Sequence, residues 1–152
     1  MAVALKVDSV ATELGTDSFV HAFFSTASAR LENGTWGSRF PVLMNELYQG
    51  SLAKAHAQAA LDELAVIHRE LAAFPPADVV WDVEDRTARP PWGDNIAPTI
   101  TSLANYFVTS TGRDMFEAIE EMLVFLRDEG ATCVLTKLPA ATAEARWSPS
   151  AA

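Results

Sequence analysis

The sequence predicts an α+β fold in a single domain, a small β-sheet packed against several helices. Three observations lead there. Apolar residues alternate with period two at Val3, Leu5 and Val7, and apolar residues at helical three-and-four spacing mark several later segments. The 152 residues, 49% of them hydrophobic, suffice for one core and leave little room for a second. The expected domain spans 1–138, followed by a disordered 139–152 tail of Ala, Ser, Thr and Pro around Trp147.

Each element has its own signal. Ala2 to Val10 reads as the first strand, with Val3, Leu5 and Val7 on its buried face. From Asp17 the stripe Val20, Phe23, Phe24, Ala27, Leu31 predicts a helix that stops at Asn33-Gly34, a pair suited to left-handed backbone. Trp36 to Pro41 is irregular, and Val42 to Tyr48 is a short helix with Pro41 at its first position. Ser51 to Phe74 reads as one long alanine-rich helix with Leu61, Leu64, Ile67 and Leu71 as its packing stripe, ended by Pro75-Pro76. Val79 to Glu84 predicts a second strand, with Val79, Trp81 and Val83 on one face and Val80, Asp82 and Glu84 on the other, partner-facing side. Ile96 to Val108 is expected to hold a short helix around Leu103, Tyr106 and Phe107. Thr111 and Asp114 have capping-box spacing ahead of a helix bearing Met115, Ile119, Met122, Leu123 and Leu126, which Gly130 ends. Ala131 to Leu138 is the last strand, so the expected order is β, α, α, β, α, α, β.

Charge restricts function. With 20 acids against 11 Lys and Arg, the net charge is −9, which argues against nucleic-acid binding and against attachment to an anionic membrane, and favours a basic partner. No apolar run approaches the roughly 18 residues of a membrane span, and no export signal precedes the first strand, so the expected location is the cytoplasm. The single Cys133, within Cys133-Val134-Leu135, reads as a buried inert thiol in a reducing compartment.

Several patterns could carry chemistry. Ser51-Leu52-Ala53-Lys54 fits S-x-x-K, in which a helix sets an amine one turn from a hydroxyl, but no Lys-Thr-Gly partner follows and Ser51 reads better as a helix N-cap. His21, His56 and His68 are not spaced as helical metal ligands, and no cysteine cluster joins them, so neither a metal nor another cofactor is expected. Asp82 and Glu84, with Asp85 adjacent, could hold a magnesium ion on one strand face, but Arg86 and Thr87 follow where a nuclease would place lysine. A small metal-using hydrolase or ligand-binding domain centred on Asp82 and Glu84 is the alternative function, and it requires a deep pocket enclosing both acids and a histidine. A structural subunit of a larger assembly is a third reading, which requires a broad apolar patch.

The favoured reading is a binding surface with no catalytic residues. Val79 to Asn95 sets Trp81 and Trp92 beside Asp82, Glu84, Asp85 and Asp94 on backbone stiffened by Pro90-Pro91, and ordered aromatic anchors lose little entropy when a partner covers them. Asp78, the four acids of that loop, and Asp114, Glu117, Glu120, Glu121, Asp128 and Glu129 of the last helix make up eleven of the 20 acids. Trp81 reads as core, whereas Trp36 and Trp92 lie in irregular backbone where a ring pins the loop or projects. The predicted contact set is Asp82, Glu84, Asp85, Trp92, Asp94, Asn95, Glu117 and Glu121.

Five strings, in order, resemble one known family: Trp36-Gly37-Ser38-Arg39-Phe40-Pro41, Met44-Asn45-Glu46-Leu47-Tyr48, Val80-Trp81-Asp82, Pro90-Pro91-Trp92-Gly93 and Asn105-Tyr106-Phe107. Their order and spacing are similar to those of the immunity protein 70 family of bacterial polymorphic toxin systems, over roughly Val3 to Leu138. The resemblance implies a small cytoplasmic protein, made beside a toxin, that binds and neutralises it and is not an enzyme. It supplies no contact motif, so the contact set rests on the physical reading alone. A basic toxin, with a nuclease as the natural case, is the expected partner.

Overall fold

The computed structural model describes residues 2–93 and 95–138; Asp94 and the predicted tail with Trp147 lie outside the described residues. Four antiparallel strands form one sheet: β1 (Ala2–Val7), β2 (Val10–Thr16), β3 (Ser51–Ala53) and β4 (Thr132–Leu138), in the order β2-β1-β4-β3. Three α-helices pack with it: α1 (Asp17–Leu31), α2 (Ala57–Leu71) and α3 (Met115–Asp128). The α+β class is as expected, while the order of elements is not.

The first strand ends at Val7 rather than Val10, because Asp8 and Ser9 turn the chain back into β2, a strand the alternation had not revealed. Asp8 takes the left-handed region (φ 53°), which a short polar side chain tolerates. Its carboxylate accepts hydrogen bonds from the Ala131 and Thr132 N–H groups (3.1 and 3.3 Å), fastening the start of β4 to the hairpin. In β2 the register slips at Leu14, and the Leu14 carbonyl accepts the Ser110 N–H (3.2 Å), so the bulge ties the sheet to the chain before α3.

Helix α1 begins where the Thr16 hydroxyl accepts the Phe19 N–H (3.2 Å), and ends at Asn33 (φ 53°) and Gly34 (φ 79°), where the Gly34 N–H reaches back to the Ser28 carbonyl. It is the central helix: Val20, Phe23, Phe24 and Leu31 are buried, and so are the polar Ser25, Thr26 and Ser28. Val42–Leu47 forms the predicted short helix with the wide π geometry, its first N–H groups capped by the Glu63 carboxylate of α2 (3.2 Å to Val42, 2.9 Å to Leu43).

Four local expectations are corrected. Ser51–Ala53 is β3, not the start of a helix: Leu52 is fully buried opposite Cys133, so pairing and burial override the helix propensity of the alanines, and α2 starts only at Ala57. Ser51 is therefore no N-cap, and the helical S-x-x-K spacing does not exist. Val79–Glu84 is not a strand. Its β-branched run lies along α1, and the Thr26 hydroxyl replaces a neighbouring strand by accepting the Val80 N–H (3.0 Å) and donating to the Val80 carbonyl (3.2 Å). No helix forms around Leu103, Tyr106 and Phe107; these side chains are buried on turns, held by Leu103 N–H to the Phe74 carbonyl (3.0 Å) and by Asn105. Finally, Asp114 rather than Thr111 occupies the N-cap of α3, because Val108 pairs with Asp114 across a tight hairpin whose Thr109 and Thr111 hydroxyls bond each other (3.0 Å).

Candidate recognition surface

The strings that carried the resemblance converge in space. His21 of α1 sits between Tyr48 and Asp82: its Nδ1 is 2.7 Å from the Tyr48 hydroxyl and its Nε2 3.3 Å from Asp82 Oδ1. An ionised carboxylate only accepts, so Nε2–H donates to Asp82, and in the neutral ring Nδ1 then accepts from the Tyr48 hydroxyl. Trp36 stacks on this imidazole (6.5 Å between centroids), pinned by its indole N–H on the Met44 carbonyl (3.0 Å). The Glu84 N–H donates to Asp82 Oδ1 (2.9 Å) and, with His21, holds the Asp82 carboxyl below its ordinary range; burial pushes the Tyr48 hydroxyl up.

Two residues earlier on α1, Phe19 anchors a second aromatic group. Trp81 and Trp92 meet edge to face (5.4 Å, 89°), Phe19 touches both, and the Trp92 indole N–H donates to the Tyr106 hydroxyl (2.8 Å). Trp92 is thus pinned and projecting at once: it remains 38% exposed, beside exposed Val108 and a shallow apolar groove of about 290 Å³. Trp81 is half-buried in this group instead of lying in the core, and Val80, expected on the outward face, is buried.

Asp82 and Trp92 lie on either side of a short acidic loop. Glu84 and Asp85 are exposed, and Asp85 accepts the Thr87 N–H (3.1 Å), while Asn95 is exposed with its N–H on the Trp92 carbonyl (3.0 Å). The Asp82-to-Asp85 turn is a local one, since the Asp82 side chain and carbonyl take the Glu84 and Asp85 N–H groups. Glu117 and Glu121 are also exposed, but on α3, where Glu121 pairs with Arg113 (3.3 Å) and no described contact joins either acid to the loop. The structure therefore brings Asp82, Glu84, Asp85, Trp92 and Asn95 onto one segment, and leaves Glu117 and Glu121 on a separate element.

The histidines are dispersed. His56 pairs with Glu46 (2.7 Å) and His68 packs on Phe116 (4.5 Å), and among the described residues no group of three His, Cys, Asp or Glu side chains could hold a metal ion. A cleft of about 840 Å³ includes Trp81 and Tyr106, and its described lining holds neither Asp82 nor Glu84 nor any histidine, the groups the hydrolase reading requires in one pocket. Cys133 is buried, and burial pushes its thiol up to about 12.

Three supporting residues escaped the sequence reading. Glu32, only 3% exposed, accepts the N–H groups of Gly37, Arg39 and Phe40 (3.0, 3.0 and 2.9 Å) and so folds the Trp36 loop around itself. Thr26 holds Val80, and the Arg30 Nε–H donates to the Asp78 carbonyl (2.9 Å). A polar Thr26 inside an apolar helical stripe was the one available signal.

Fold and site together define a small α+β protein organised around a stiff aromatic and acidic surface. The chain belongs to the immunity protein 70 family, which matches residues 5–135. Proteins of this family are non-enzymatic toxin inhibitors, so both the resemblance and the expectation of a protein that is not an enzyme hold. No curated protein and no solved structure matches the chain. No described helix is long and apolar enough to cross a membrane.

Proposed function

We propose that this protein neutralises one cognate toxin by stoichiometric binding in the cytoplasm of the producing bacterium, docking through the loop from Asp82 to Asn95. The observation that carries the reading is Trp92, a large ring left 38% exposed although a hydrogen bond and two edge-to-face neighbours hold it still. A ring held in place before contact is what an interface anchor requires, since little rotamer entropy remains to be lost. The polar contacts come from Asp82, Glu84, Asp85 and Asn95 of the same segment and from Asp94 by its place in the sequence, while Glu117 and Glu121 act at longer range by accelerating encounter with a basic toxin. A nuclease, basic because it must hold phosphates, fits that charge best.

The test is titration of the chain against the toxin domain encoded beside it, coupled to rescue of growth on co-expression. Tight one-to-one binding with rescue is the expected result. Reversing Asp82, Glu84 and Asp85 to lysine in a variant that still folds is expected to weaken binding at least tenfold, and unchanged affinity would remove this loop from the interface.

A further inference from the structure

The same segment has a second side of opposite character. The cleft of about 840 Å³ lies between the end of α1, the Pro75-Pro76 turn and the loop at residues 86–93, and three arginines line it: Arg30, Arg86 and Arg89. None of its described lining residues is an acid, although acids outnumber Lys and Arg by 20 to 11 in the chain. Elsewhere Arg39, Arg113 and Arg127 are each neutralised by a carboxylate. The three cleft arginines are not: among the described residues Arg30 and Arg89 donate only to backbone carbonyls, and Arg86 has no hydrogen-bonding or ionic partner. Three like charges thus face one cleft from two of its sides, with no carboxylate paired to them among the described residues.

We infer that this cleft receives an acidic segment of the toxin, an Asp- or Glu-bearing stretch with apolar neighbours, and that the partner surface is therefore a mosaic of both signs. The inference rests on the toxin-binding reading above. Guanidinium groups match carboxylates in a planar, two-bonded geometry, and here they stand on walls stiffened by prolines with the Trp81 and Tyr106 rings behind them. The volume falls within the range of binding clefts. An extended nucleic-acid strand fits worse, because it would have to run past Asp82, Glu84 and Asp85 on the adjoining turn. Opposite patches side by side also set register, since a partner shifted by one patch meets like charge twice.

The experiment titrates the adjacent-encoded toxin domain with wild type, R86Q/R89Q and R86E/R89E, each checked by thermal melting; neither side chain supports another element, so all three should fold. The expected order is wild type, then the glutamine pair roughly tenfold weaker, then the glutamate pair weaker by a further tenfold or more. Equal affinity of the glutamine and glutamate pairs would show that the occupant is not acidic, and wild-type affinity in both would remove the cleft from the interface; either overturns the inference while the immunity function stands. If wild type itself does not bind the toxin, the proposed function falls and this inference with it. Binding of a single-stranded oligonucleotide by wild type, lost in R86Q/R89Q, would overturn it in favour of nucleic acid.

Discussion

At the scale of single residues, the surface depends on side chains that serve twice. Trp92 both closes the aromatic group over Phe19 and Trp81 and presents its face outward. Trp92→Ala is expected to cost about 2–4 kcal/mol of toxin affinity by calorimetry, with a much smaller loss in Tyr106→Phe, which keeps the ring and removes only its hydrogen-bond acceptor. Glu32 is wholly structural by contrast. Its carboxylate satisfies three backbone donors while almost completely buried, so Glu32→Ala should lower stability by about 3 kcal/mol in a denaturant titration and loosen the loop that positions Trp36. Asp82 adds a pH dependence of defined sign. Its carboxyl is held below the ordinary value of 3.8 by the Glu84 N–H and by His21, so its stabilising contribution is present above pH 3.8 and lost as pH falls through the lowered value. Melting temperature against pH should therefore fall less steeply below pH 4 in Asp82→Asn than in wild type.

At the scale of elements, legibility tracked how local the determinant was. Helices α1 and α3 carry their signals within themselves, stripe and stop together, and both were readable. The elements that were misread are those decided elsewhere in the chain. Ser51-Leu52-Ala53 has nothing of a strand in its composition, yet β4 needs a partner for its edge and the core needs Leu52. Val79 to Glu84 has the composition of a strand but meets a helix, whose Thr26 hydroxyl satisfies the backbone that a ladder would otherwise pair. The β1–β2 hairpin was missed for a third reason: Asp8-Ser9 lacks the glycine that usually marks so tight a turn, and β2 does not alternate cleanly. Because β3 belongs to the sheet and buries Leu52, Leu52→Ala should cost about 2–5 kcal/mol by equilibrium unfolding, whereas an exposed position on a helix would lose under about 1 kcal/mol.

At the scale of the whole molecule, charge is distributed rather than uniform. The acids of α3 stand on a different element from the Asp82 to Asn95 loop, and the proposed function gives them a part in approach more than in contact. Glu117→Lys with Glu121→Lys should slow association several-fold at low salt and flatten its salt dependence while leaving dissociation nearly unchanged, measurable by stopped-flow mixing with the toxin domain. Much of the candidate surface was legible in sequence as an acidic loop with tryptophan. Its geometry was not, because His21 reaches Asp82 from 61 residues earlier in the chain and Tyr48 reaches His21 from 27 residues later, and the arginine cleft draws its walls from three separate segments.

The grip of α1 on the segment before the loop has a consequence for how such a protein can change. Thr26 and Arg30 hold the Val80 amide, the Val80 carbonyl and the Asp78 carbonyl, atoms that every residue type supplies apart from the amide that proline lacks. The mount is therefore indifferent to the side chains it carries. On the proposed function, exchanging the exposed residues from Glu84 to Thr87 would rewrite which toxin is read while the attachment to the helix, and with it the rest of the fold, stays as it was: a replaceable tip on a fixed handle.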